Sequence, residues 1–67
     1  MKVTKENNGQ YVVTHENITL IHTDLEGTKH NDCSVDNGEF FELISQHDSR
    51  VKPLFIALHN YKSTEEV

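Results

Sequence analysis

Apolar and polar residues alternate along the first third of the chain, then recur at helical spacing in the last third. Alternation places successive side chains on opposite faces of a strand, whereas spacings of three and four place them on one side of a helix. Lys2 to Lys5 reads as a first strand. Asn7-Asn8-Gly9 follows as a hairpin turn, because Asn and Gly tolerate the positive φ such turns need. Gln10 to Thr14 then sets Tyr11 and Val13 on one face and Val12 and Thr14 on the other. After a turn at His15-Glu16-Asn17, Ile18, Leu20 and His22 alternate with Thr19, Ile21 and Thr23. These β-branched runs suit a pleated surface.

From Asp24 to Gly38 the chain is rich in Asp, Asn, Gly, Ser and Thr. These are turn formers, and the stretch reads as a long loop in which Cys33 to Val35 could form one short strand. Glu39 to His47 has Phe40, Leu43, Ile44 and His47 at helical spacing, with Asp36 or Asn37 as its cap. A second helix is expected from Arg50 to Tyr61, with Asp48-Ser49 ahead of it and Pro53 in its first turn. Its stripe is Val51, Leu54, Phe55, Leu58 and Tyr61. Ser63 to Val67 reads as a frayed tail. The predicted fold is α+β, a three-stranded antiparallel β-meander followed by two α-helices packed on one face. It is a single domain over residues 1–67. Both faces of the predicted sheet carry apolar residues, so a second contact is expected, either a homodimer or a partner protein.

Composition limits what this fold can be. Leu, Ile, Val and Phe number eighteen in 67 residues, and Trp is absent. A core this small leaves stability modest unless something supplements it. A disulfide within the chain is excluded, because Cys33 is the only cysteine; a lone thiol fits a reducing compartment, and a cytoplasmic location is expected. No apolar run follows the first lysine, so no signal peptide is predicted. Leu54 to Leu58, the longest apolar run, is far too short to span a bilayer, and no membrane contact is expected.

The net charge of −5 is concentrated in the middle. Residues 16–48 hold eight carboxylates and one basic residue, Lys29. Such a belt repels phosphate, which disfavours direct nucleic-acid binding. Only Arg50, Lys52 and Lys62 on the last helix offer a basic footprint for a nucleic-acid-associated regulator. The belt serves solubility, and it also suits a basic partner.

Candidate chemistry is sparse. His30-Asn31-Asp32-Cys33 has the gap that lets one turn present two metal ligands, and His47 or His59 could add a third. A structural zinc mini-domain on His30, Cys33 and His47 is therefore an alternative, although the usual paired ligand spacings are absent and no metal or other cofactor is expected. His22, Asp24 and Cys33 supply the residue types of a thiol nucleophile. However, carboxylates beside Cys33 raise a thiol's pKa, and so short a chain cannot enclose a reaction chamber.

The expectation is a small acidic, non-enzymatic protein-binding module that regulates or inhibits a larger protein. Its partner would present a basic or nucleic-acid-binding surface. By size and charge alone, such chains resemble virus and phage proteins that interfere with host machinery. The expected contact residues are Asp24, Glu26, Asp32 and Asp36, with Ile56 as an apolar residue outside the main helical stripe.

Overall fold

The computed structural model describes residues 1–6 and 8–65. Among these residues, five strands form one antiparallel sheet in chain order: β1 (Lys2–Lys5), β2 (Gln10–His15), β3 (Ile18–Leu25), β4 (Thr28–Asp36) and β5 (Phe41–Ile44). One helix, α1 (Lys52–Glu65), crosses one face. The registers Val3↔Val13, Val13↔Leu20, Leu20↔Cys33 and Cys33↔Ile44 run a single apolar row across all five strands. Tyr11, Ile18 and Val35 flank this row. Val51, Leu54 and Leu58 of the helix side close over it, and Leu20, Leu54, Val13 and Val51 are fully enclosed. Phe55, Ala57 and Tyr61 pack at its margin. The predicted helical stripe is therefore the surface that covers the sheet.

The predicted three-stranded meander with two helices is corrected to five strands and one helix. The first three strands stand near their expected positions. The expected Asn7-Asn8-Gly9 turn lies partly outside the described residues. Gly9 itself has φ 81°, and a β-carbon there would meet Leu25 Cδ2 at 2.7 Å and the Asp24 carbonyl at 3.2 Å. The expected loop from Asp24 to Gly38 is instead a hairpin, turning at Glu26-Gly27 with Gly27 at φ 79°. Its second arm, β4, is nine residues long and mostly polar. Polar residues suit it because its far end overhangs the core, so only Cys33 and Val35 become buried.

The expected helix from Glu39 to His47 is corrected to β5 and its flanking turns. A helix that short is marginal unless it is packed. As a strand, the same residues extend the ladder on β4 and place Ile44 against the core. The remaining helix starts at Lys52 and runs to Glu65, so Ser63 to Glu65 are helical and not a frayed tail. Residues 66–67 of that expected tail lie outside the described residues. Ahead of the helix, the Asp48 carboxylate accepts the Arg50 amide at 2.9 Å and its guanidinium at 3.0 and 2.8 Å. Arg50 is thus neutralised where it would otherwise oppose the helix dipole.

Candidate functional site

The expected contact residues do not form one surface. Asp24 lies on the helix side and accepts a 2.8 Å bond from Lys62 Nζ. Glu26 is exposed at the tip of the β3–β4 hairpin. Asp32 lies on the opposite face, opposite Ile21 in the β3–β4 register, and its Oδ1 lies 3.0 Å from His30 Nε2. Asp36 ends β4, where its Oδ1 accepts the Gly38 amide at 2.9 Å and closes the next turn. Ile56 is 54% exposed on the outer side of α1. Two of the four carboxylates are therefore engaged in holding the fold.

The metal candidates are separated by the same geometry. His30 and Cys33 were expected on one turn, but both belong to β4. Residues three apart on a strand point to opposite faces. Cys33 is buried under the helix, while His30 is exposed beside Asp32 on the other face. His47 is exposed in the β5–α1 connection. Among the described residues, no group of three or more His, Cys, Asp or Glu is placed to hold an ion. Burial, with Asp32 and Asp48 nearby, pushes the Cys33 thiol above its ordinary value of 9.0, which keeps it protonated at neutral pH.

Most of the shifted side chains lie at the seam between α1 and β1–β3. Glu65 accepts from Lys5 Nζ at 3.0 Å and from the Tyr11 hydroxyl at 2.9 Å. Lys5 and Lys62 also stand over the Tyr11 ring, 5.8 and 5.4 Å from its centroid, and Tyr61 meets it edge-on at 6.1 Å. His22 Nδ1 lies 2.6 Å from the Asn31 side-chain oxygen, and Asn31 in turn donates to Gln46 at 3.0 Å. Lys5 holds the Glu65 carboxyl below its ordinary value, and Lys62 does the same for Asp24. The bond to Glu65 raises both Lys5 and Tyr11. All four pKa values move further from 7, the opposite of what acid–base chemistry near pH 7 requires. The seam acts as a clamp that seats the helix.

The face opposite the helix has a different character. Val12, Thr14, Thr19, Ile21 and Ser34 share it, and Glu6, Asn8, Gln10, Val12, Ile21 and Asp32 line a shallow concavity there. It continues onto β5, where Phe41 pairs with Asp36 and Leu43 with Ser34. Phe41 is 72% exposed, Leu43 83% and the preceding Phe40 58%. No strand pairs with the outer edge of β5 among the described residues.

Two hydrogen bonds set the phase of that edge. The Asp36 amide donates to Asn17 beyond β3 at 2.8 Å, and the Asn37 amide donates to Phe40 at 3.3 Å. In an antiparallel ladder, main-chain groups alternate between the two neighbours. Glu42 and Ile44 therefore direct their N–H and C=O groups to β4. Phe41 and Leu43 direct theirs outward, away from the sheet. One short strand thus carries outward main-chain donors and acceptors on the same residues that carry exposed apolar side chains. The sequence pattern conceals this site because Phe40, Leu43 and Ile44 also fit a helical period. The signal that could have found it is Asn37-Gly38, a hairpin turn directly ahead of Phe41 and Leu43 at strand spacing.

No family model matches the chain, and neither a curated protein nor a solved structure gives a significant match. No helix among the described residues is long and apolar enough to cross a membrane.

Proposed function

We propose that the protein is a small, non-enzymatic binding module of the cytoplasm that docks onto a larger protein and regulates or inhibits it. The docking surface is the uncovered sheet face together with β5. The observation that carries this proposal is the exposure of Phe41 and Leu43 on an edge strand. Apolar side chains left outward beside a well-filled core are a recognised mark of an interaction surface. The acidic middle of the chain supplies the polar surroundings and selects a partner with a basic rim. Glu26 and Asp32 remain accessible for that role, whereas Asp24 and Asp36 serve the fold.

The test compares the wild type and F41S/L43S as immobilised baits, after matched thermal melts establish that both are folded. Proteins retained by the wild type alone are purified and titrated singly against both forms. Loss of binding in the double variant, with Ile56→Ser unaffected, supports docking through β5. Equal binding by F41S/L43S excludes that surface. A wild-type bait that retains nothing beyond bare resin overturns the binding-module proposal.

A further inference from the structure

We infer that β5 accepts a basic, extended segment of the partner as a sixth strand of the sheet. This rests on the proposed docking function and specifies its mode and the chemistry of the occupant. Strand addition needs an unpaired edge whose main-chain groups point outward, with side-chain contacts alternating along it. Phe41 and Leu43 supply the outward groups, and their exposed side chains offer apolar contact on the uncovered face. Glu42, between them, points to the other side.

Charge selects the occupant. No Lys or Arg lies between Lys29 and Arg50, whereas Asp32, Asp36, Glu39, Glu42 and Asp48 all do. The first basic residue after β5, Arg50, is taken up by Asp48. A second copy of the chain is a poor occupant. Two β5 strands paired antiparallel in the register centred on Glu42 bond Phe41 to Leu43 in each direction and set Glu42 directly opposite Glu42. Like charges directly opposite destabilise a strand pair, and each copy carries a net charge of −5. A segment with Lys or Arg opposite Glu42, and apolar residues beside Phe41 and Leu43, reverses that sign while keeping the main-chain bonds.

Three capped eight-residue peptides test this on the intact protein: alternating Lys-Val, alternating Glu-Val, and Lys-Val with N-methylated valines. Amide exchange is followed residue by residue by NMR. With the Lys-Val peptide at about ten times its Kd, exchange at Phe41 and Leu43 should slow by about tenfold, while Glu42 and Ile44, already bonded to β4, change little. The Glu-Val and N-methylated peptides should give no protection, and Glu42→Lys should shift the preference from Lys-Val to Glu-Val. Equal protection by Lys-Val and Glu-Val overturns the charge argument. No protection at Phe41 and Leu43 overturns strand addition. If F41S/L43S still abolishes partner binding in that case, docking through β5 stands and only its mode falls. A dimer by light scattering, with those two amides already protected in the free protein, makes a second copy the occupant and overturns the proposal.

Discussion

The two edges of this sheet are protected to very different degrees. At β1 the outer strand carries Lys2 and Lys5, and Lys5 is tied to Glu65 at the end of α1. The Glu6 amide bonds Gln10, so by the same alternation the outward main-chain groups of β1 belong to Val3 and Lys5. Val3 is packed against the core and Lys5, though exposed, is tied by its side chain to Glu65 at the helix end. At β5 the outward residues are Phe41 and Leu43, their side chains lie on the uncovered face, and the single charge is Glu42. Lysines and a covering element are common devices for keeping an edge from pairing. The contrast teaches that the helix does two jobs at one end of the sheet, filling the core and tethering the edge strand through Lys5, and leaves the other edge available.

The largest effect should come from removing the cover. Leu54→Ala, at a fully enclosed position, should lower unfolding free energy by about 2–5 kcal/mol in urea titration. If it costs no more than a surface change, the helix is not what secures the β1 side. Gly9→Ala should cost about 1–2 kcal/mol in the same assay. The residue has a left-handed φ and stands against the β3–β4 hairpin, so any side chain there is both strained and crowded.

Acid should next loosen the clamped side. The carboxyls of Glu65 and Asp24 are held below their ordinary 4.5 and 3.8 by Lys5 and Lys62. A carboxyl depressed in the folded state contributes stability above its unfolded pKa, and that contribution fades as pH falls through the folded value. The melting temperature should therefore fall as pH drops below about 4.5, and continue falling toward the Asp48 carboxyl, held near about 2 by Arg50. Glu65→Gln should remove the upper part of that decline, while F41S/L43S should leave its shape intact. The smallest effect on stability belongs to Leu43→Lys, which gives β5 the same device as β1. It should change unfolding free energy by no more than about 0.5 kcal/mol while abolishing partner binding.

The chain disclosed its strands where side chains alternate between core and surface, and its helix where a full stripe is buried. β2, β3 and the Val51–Tyr61 stripe were readable for that reason. β4 was hidden because its exposed half needs no apolar residue: Thr28, Lys29, His30, Asn31 and Asp32 resemble a loop in composition and become a strand by pairing with β3. β5 was ambiguous because four residues satisfy both periods, and tertiary pairing decides between them. The candidate site inherited that ambiguity. Charge pointed to Asp24 and Asp36, yet these residues spend their carboxylates on Lys62 and on the Gly38 turn. The exposed edge depends on which main-chain groups face outward, and no count of residue types reveals that.

Every strand pairs with its neighbour in the chain, whereas the helix must travel back over β3 and β4 to reach β1 and β2. The bonds from Glu65 to Tyr11 and to Lys5 span 54 and 60 positions. The hairpins are therefore quick, local closures, and the seating of the helix is the one distant event. Until it happens the row from Val13 to Ile44 faces water, so refolding speed should be governed by how often a half-finished sheet catches its lid.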